Sequence, residues 1–331
     1  MTARRTFLGG ALALAAMPLA AAPRRARICM ILPGPESALE RGFRAYFAEL
    51  PIDAEFTMRE AGAGMVRIPA ILREARSRGT DLIYTSGAAV TLAVAGIPPA
   101  DPARHVTDIP VVFAGLSEYD APALAGPERG RNVTGTTAEV PLDQQVAAMR
   151  SYRPFNRIAV IANPASEGAM RTVARLRALG ARHGFELIER HPPLDRNGAP
   201  IASSLPALVA AIARQGAQAL YTGSEQFMVD HRRAVMQAAT AHRLATFSPN
   251  EQVLRDGQAL FGLAAGLESL GRLTARKAAA VLLGGVAPAQ VRADTLARPS
   301  LIINMSAAAA LDLYPPMAML ARAEVLRHAL G

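Results

Sequence analysis

The sequence predicts an α/β fold with two doubly wound parallel-sheet lobes joined by crossing strands. Uninterrupted apolar runs of about five residues end in glycine turns, which is typical of strands covered on both faces of a parallel sheet. Strand and amphipathic-helix patterns alternate through both halves of the chain. The 331 residues, of which 51% are hydrophobic, exceed one core and are enough for two.

Two strand-to-turn segments between residues 81 and 120 organise the first half. Residues 82–84 form an apolar run that leads into Ser86 and Gly87, and residues 109–113 lead into Ala114 and Gly115. In parallel sheets, ligands bind beyond the carboxyl ends of the strands. We therefore expect a binding site at these two turns.

The other elements of the first half follow from periodicity. Apolar residues spaced three and four positions apart predict helices, and β-branched residues around Gly135 predict an extended segment with a bend or a close backbone approach. We predict strands at 28–32 and 52–58, helices around 39–50, 68–75 and 88–95, and a first crossing between lobes at 131–141.

The second half repeats this design. Clean apolar faces predict its helices, and short apolar runs that end in turns predict its strands. We predict helices around 142–149, 167–183, 205–212, 227–242, 267–281 and after 304, and strands at 158–162, 185–190, 219–222, 245–247, 258–264 and 301–304, with the strand at 258–264 as the second crossing.

Residues 1–22 have the pattern of a cleavable export signal. Arg4 and Arg5 precede an apolar stretch from 9 to 19 and the small residues 20–22. The stretch is too short to span a bilayer, and an amphipathic surface helix is excluded because no polar face lies opposite the leucines. The paired arginines before Phe7 resemble a twin-arginine signal, with an ordinary secretory signal as the alternative.

Charge and cysteine content exclude other classes. The formal charge of +9 suggests nucleic-acid binding, but the arginines are spread over nearly every helix and no nucleic-acid-binding motif is present. We expect no nucleic-acid partner. Cys29, the only cysteine, lies inside an apolar strand, so we predict a small buried hydrophobe and no disulfide within the chain.

Eight pieces of sequence occur in a recognisable order along the mature chain. They are DLIYTSG, DIPVVFAG, NVTG, RIAVIAN, ALYTGSE, GQALFGLA, the helix that ends in LLGG, and LIINMSAAAALDLYPP. This order resembles the substrate-binding proteins of ABC importers, in the branch typified by tryptophan- and amino-acid-type receptors of the type I periplasmic-binding fold. Two positions depart from the family, namely Glu225, where relatives often carry aspartate, and LSEYDAP after Gly115, where many have a Ser-Asp-Pro turn.

The resemblance implies two lobes joined by three crossing strands that close over a small solute. We expect the hinge near 133–137, near 262–266 and before Leu301. The predicted division of the mature chain assigns 27–134 and 259–292 to lobe 1, and 135–258 and 293–331 to lobe 2.

The resemblance also implies a periplasmic, monomeric solute-binding component. It would pass an amino acid or a small organic acid to an inner-membrane ABC permease with its ATPase. A ligand-sensing periplasmic module for a membrane kinase or cyclase has the same fold and is the alternative. An exported enzyme is the third class.

Nine residues at the ends of strands are predicted to bind the ligand. Ser86 and the backbone N–H groups after it can hold a carboxylate, and the alternative is that Ser86 caps the helix. The nine are Ser86, Gly87, Ala88, Gly115, Ser117, Asn163, Ser224, Glu225 and Asn250.

The charged and amide side chains of this set each have an alternative role. Glu225, or Glu118 across the cleft, can neutralise a ligand ammonium, or be a solvated turn residue. Asn163 and Asn250 can hydrogen-bond the ligand or their own turn backbone. Tyr119 is either an aromatic lid or a surface residue.

Catalytic and metal-binding patterns are missing from the sequence. The stretch at 62–64 lacks the third glycine of a dinucleotide fingerprint, and no phosphate-binding loop follows a strand. His231 and His242 have no metal-ligand spacing, and the turn serines lack a nucleophile elbow. We therefore predict no enzymatic activity, no metal and no cofactor.

Overall fold

The computed structural model describes residues 25–117, 121–126, 130–256 and 259–327. The predicted export signal lies outside the described residues, and so do Glu118, Tyr119 and Gln258. Within the described ranges, no helix combines the length and the apolar character needed to cross a membrane.

The first lobe contains a five-stranded parallel sheet, as predicted. Its strands are β1 (Ala26–Leu32), β2 (Ala54–Glu60), β3 (Leu82–Ser86), β4 (Val111–Leu116) and β5 (Val133–Thr137). They lie in the order β2-β1-β3-β4-β5. Its helices are α1 (Ala38–Ala48), α2 (Ile68–Ser77), α3 (Ala88–Ala95) and the short α4 (Ala121–Leu124).

The second sheet has seven strands in the order β12-β11-β10-β9-β8-β6-β7. All neighbours are parallel except β10 and β11, which are antiparallel. The strands are β6 (Arg157–Ile161), β7 (Glu186–Arg190), β8 (Ala219–Tyr221), β9 (Ala245–Phe247), β10 (Phe261–Ala264), β11 (Ser300–Asn304) and β12 (Glu324–Leu326).

Nine further helices follow α4 in the described part of the chain. They are α5 (Leu142–Tyr152), α6 (Glu167–His183), α7 (Leu205–Arg214), α8 (Gln226–Asp230), α9 (Arg232–Ala241), α10 (Glu251–Arg255), α11 (Leu267–Leu282), α12 (Met305–Leu311) and α13 (Met317–Leu320).

The uninterrupted apolar run of β3 has a direct structural cause. Ile83 packs into an apolar cluster on one face of the first sheet, whereas Leu82 and Tyr84 pack into a cluster on the other face. Because successive side chains of a strand point to opposite faces, a sheet with two covered faces requires apolar residues at every position. Cys29 lies in the same sheet and is 4% exposed, which confirms that it is buried.

Helices α1 and α11 pack at close range through two glycines. A Cβ atom on Gly42 would lie 2.1 Å from the carbonyl oxygen of Glu268, and one on Gly271 would lie 1.9 Å from that of Leu39. Gly135 is also a close approach, as predicted, because a Cβ atom there would lie 2.1 Å from the carbonyl oxygen of Phe113.

The strand β10 differs from the predicted division of the chain. That division placed residues 259–292 in lobe 1, whereas β10 pairs within the second sheet. Helix α11 and Val291, later in the same range, pack on the first lobe. The lobe boundaries otherwise stay a prediction.

The chain passes between the two sheets three times. The first passage lies between β5 and α5, and the second lies between β10 and α11. The third runs from residue 294, which pairs with Thr136 in the first sheet, to β11. Each passage lies directly beside one of the predicted hinge segments.

Lys277, the only lysine in the sequence, fixes the third passage to the first sheet. Its ammonium donates hydrogen bonds to the carbonyl oxygen of Gly135 at 3.0 Å, and to the Arg292 carbonyl and the Asp294 carboxylate, both at 2.5 Å. Burial lowers the pKa of Lys277, although the Asp294 carboxylate favours the charged form. The backbone N–H of Thr137 adds a bond to the carbonyl oxygen of Asp294 at 3.1 Å.

The structure also differs from the sequence predictions in its short elements. The predicted helix at 227–242 is two helices that meet at His231. Strand β12 and helices α4, α10 and α13 were not predicted, because each is five residues or shorter and carries little periodicity.

Substituting Gly271→Ala is expected to destabilise the protein by about 1–3 kcal/mol, because the added methyl group forces α1 and α11 apart. The midpoint of urea unfolding measures this loss. Gly34→Ala is the control, since no atom lies within 4 Å of a Cβ at that position. Equal midpoints for the two variants would contradict the close-packing account.

Candidate functional site

A cavity of about 410 Å³ lies where β6 and β8 end and α6 and α8 begin. Ser117, which follows β4 of the first sheet, and Glu139, in the first crossing, complete its wall. The other polar lining residues are Asn163, Ser166, Thr172, Thr222, Ser224, Glu225 and Gln226. The remaining lining residues are Val160, Ile161, Ala162, Gly168, Ala169, Tyr221, Gly223, Phe227 and Met228.

Glu225 is the most unusual polar group in this cavity. One carboxylate oxygen, Oε2, accepts the backbone N–H of Asn163 at 3.2 Å. The other, Oε1, is buried and has no hydrogen-bond partner among the described residues. Burial raises the pKa of Glu225 above its ordinary value. A buried carboxylate oxygen without a donor is costly, and a ligand that supplies a donor offsets this cost.

Asn163 and Ser224 position the wall around Glu225. The side-chain oxygen of Asn163 accepts the N–H of Ala165 at 2.9 Å, so this residue forms its own turn and also lines the cavity. The hydroxyl of Ser224 donates to Glu139 at 3.3 Å and thereby joins the second lobe to the first crossing.

The first-lobe strand ends form a separate structure. Ser86 and Ala114 are paired neighbours, and the N–H of Gly87 donates to the carbonyl oxygen of Ala114 at 3.0 Å. Gly87 and Gly115 have positive φ angles of 78° and 76°, which glycine adopts without strain. The two turns predicted from the sequence therefore lie side by side.

Ser86 neither caps α3 nor lines the cavity. Helix α3 has no side-chain cap, and the Ser86 hydroxyl donates to the carboxylate of Glu40 at 2.7 Å. Glu40 is 2% exposed and also accepts from the Tyr84 hydroxyl at 3.0 Å and from Ser37. Burial alone would raise the pKa of Glu40, but the hydrogen bonds from Ser37 and Ser86 hold it below its ordinary value.

Asn250 hydrogen-bonds nearby backbone, which is the alternative role considered for it from the sequence. Its side-chain oxygen accepts the N–H groups of Gln252 at 2.9 Å and Val253 at 3.2 Å, and so caps α10. It is not among the residues that line the cavity.

Four of the nine predicted residues line the cavity together, namely Ser117, Asn163, Ser224 and Glu225. The other five, Ser86, Gly87, Ala88, Gly115 and Asn250, do not. A ligand role for all nine stays a prediction.

Glu139 is the main residue that sequence reasoning missed. The signal was available, because Glu139 is a charged residue inside the predicted first crossing at 131–141. Phe227 and Met228 were also missed, because their apolar character looked like ordinary helix core.

Residues 53–326 match the family model described as ABC transporter substrate binding protein. No curated protein matches the chain.

Solved structures share the fold at low sequence identity. An open, ligand-free substrate-binding protein with adhesive properties from Clostridium difficile has a TM-score of 0.75 and 18% identity, over 92% of this chain and 100% of that one. An ABC domain from Streptococcus pneumoniae in complex with L-Trp has a TM-score of 0.68 and 16% identity, over 91% and 99%. A carbohydrate transporter from Acidothermus cellulolyticus with myo-inositol has a TM-score of 0.51 and 16% identity, over 87% and 98%.

Substituting Glu225→Gln is expected to stabilise the ligand-free protein at neutral pH. Because the pKa of Glu225 is raised on folding, the free energy of unfolding falls as pH rises from the ordinary carboxyl pKa through the raised one. The neutral amide removes this loss, so the advantage should vanish at pH values below the ordinary pKa. Thermal unfolding across pH measures it.

The matched control for this pH series is Glu186→Gln, an exposed carboxylate paired with Arg157 at the start of β7. Surface pairs of this kind contribute little, so its unfolding temperature should change little. A Glu225→Gln protein less stable than the parent at neutral pH would contradict the burial argument.

Proposed function

This chain belongs to the ABC transporter substrate-binding protein family, and from that premise we propose that it is the periplasmic solute-binding component of an ABC importer. It captures an amino acid or a small organic acid between its lobes and delivers it to an inner-membrane permease with its ATPase. The family and the structural neighbours are substrate-binding proteins rather than enzymes, in agreement with the predicted absence of catalysis.

The cavity at the ends of β6 and β8 is the observation that carries this proposal. Its volume of about 410 Å³ suits a small solute, and its wall takes residues from the second lobe, from the first crossing and from the end of β4. A ligand bound there contacts groups on both sides of the crossings. It therefore favours the closed arrangement over the open one.

Export to the periplasm rests on the sequence pattern of residues 1–22, which supports the proposal and lies outside the described residues. The fold itself leaves the ligand open, since the neighbours include one with L-Trp and one with myo-inositol.

Ligand saturation is expected to compact the protein. Calorimetric screening against amino acids and small organic acids identifies a ligand, and small-angle X-ray scattering then compares the radius of gyration with and without it. Closure about the three passages should reduce the radius. An unchanged radius at saturation would argue against hinge closure, and silence across a broad library would argue against the receptor role itself.

Substituting Glu225→Gln is expected to weaken binding of an ammonium-bearing ligand. A charge-assisted hydrogen bond contributes about 1.5–3 kcal/mol, which corresponds to roughly tenfold to a hundredfold in Kd. Calorimetry measures the change, and Glu186→Gln, which removes an exposed carboxylate at the start of β7, is the control. Equal affinity for parent and Glu225→Gln proteins would show that no ammonium contacts Glu225.

A further inference from the structure

We propose that the cavity selects ligands with a net positive charge, namely organic amines or amino acids whose side chain carries a second cationic nitrogen. This inference rests on the proposed receptor function and narrows its ligand class. Three observations support it. The charged side chains that line the cavity are acidic, the Oε1 atom of Glu225 has no donor in the described chain, and Glu139 lies in the first crossing.

The charged side chains that line the cavity are all acidic. Glu139 and Glu225 both contribute carboxylates, and no lysine, arginine or histidine is among the lining residues in the described part of the chain. The whole chain is strongly basic, with a formal charge of +9. An acidic cavity therefore contrasts with the average of the protein and repels anionic solutes.

Glu225 supplies the strongest directional contact. Its Oε1 atom is buried, has no donor within the described chain, and belongs to a residue that lines the cavity. A cationic N–H donor satisfies this oxygen and compensates its charge at the same time. A neutral hydroxyl satisfies only the hydrogen bond.

Glu139 supplies the second carboxylate from a different part of the chain. It lies in the first crossing, and the Ser224 hydroxyl, which is next to Glu225 in sequence, donates to it at 3.3 Å. The serine thereby connects the two acidic residues. A cationic ligand in this cavity contacts the crossing through Glu139 and the second lobe through Glu225.

The apolar part of the wall indicates an organic ligand. Val160, Tyr221, Phe227 and Met228 line the cavity beside the carboxylates. Such surfaces bury a hydrocarbon or aromatic body, and they contribute nothing to a hydrated inorganic cation. No group of three metal-binding side chains occurs among the residues described.

A ligand carboxylate finds no cationic side chain among the described residues that line the same cavity. Ser86, the residue predicted to hold one, gives its only hydroxyl proton to Glu40 and lies outside the lining. At the start of α6, the N–H of Ala169 is already bound by the Ser166 hydroxyl at 3.2 Å. A carboxylate would thus sit near two like charges without a cationic side chain.

Matched probes of different charge test this selection by calorimetry at neutral pH. L-arginine and L-citrulline share one shape, and 2-phenylethylamine, L-phenylalanine and 3-phenylpropionate share one phenylethyl body. At least one cationic probe is expected to bind about tenfold or more tightly than its zwitterionic or anionic partner.

Tighter binding of citrulline, phenylalanine or phenylpropionate than of their cationic partners overturns the inference and leaves the receptor function standing. Failure of both cationic probes to bind also overturns it, and silence of every probe together with a negative broad screen counts against the receptor function as well.

Carboxylate variants complete the test with the cationic probe that binds. Glu139→Gln and Glu225→Gln should each weaken its binding about tenfold while changing the affinity for the uncharged partner far less. Glu186→Gln removes the same unit of charge from the opposite end of the second sheet and should leave the affinity unchanged. Equal losses in all three variants would indicate a general charge effect and would overturn a specific acidic site.

Discussion

The buried ammonium of Lys277 ties together three segments of the first lobe at the point where the chain leaves that lobe for the last time. One side chain from α11 holds a carbonyl of β5, the carbonyl of Arg292 and the carboxylate of Asp294, where the third passage begins. It is 8% exposed, so its desolvation is expensive and is compensated only because all three acceptors are in place. In the proposed hinge closure, the movement is therefore expected in the segments between this anchor and the second sheet.

Two glutamates, one fully buried and one partly buried, show how the same side chain serves different purposes. Glu40 accepts hydrogen bonds from Ser37, Tyr84 and Ser86, which keeps it ionised and fixes the start of α1 against β3. Glu225 accepts the backbone N–H of Asn163, and its other oxygen has no donor among the described residues. A carboxylate whose oxygens all accept hydrogen bonds stabilises the fold, whereas one with a free oxygen beside a cavity is able to accept a hydrogen bond from a bound molecule.

Most of the fold could be predicted from the sequence, because burial on both faces leaves a clear pattern in strands such as β3 and β9. The membership of β10 in the second sheet could not be predicted, because an apolar run shows that a strand is buried but does not show which neighbouring strands it pairs with. The site was predictable only in part. Glu225 follows a strand with an obvious turn, but the bond from Ser86 to Glu40 joins residues 46 positions apart and leaves no local signal.

The lone cysteine gives this protein a practical property. Cys29 is 4% exposed, and burial raises the pKa of its thiol to about 11, so almost none of the reactive thiolate forms near neutral pH. Thiol-directed dyes are therefore expected not to label Cys29, so this residue does not have to be replaced. A single cysteine introduced at the rim of the cavity would then be the sole labelling position, and the protein would serve as a scaffold for an optical sensor that reports its own occupancy.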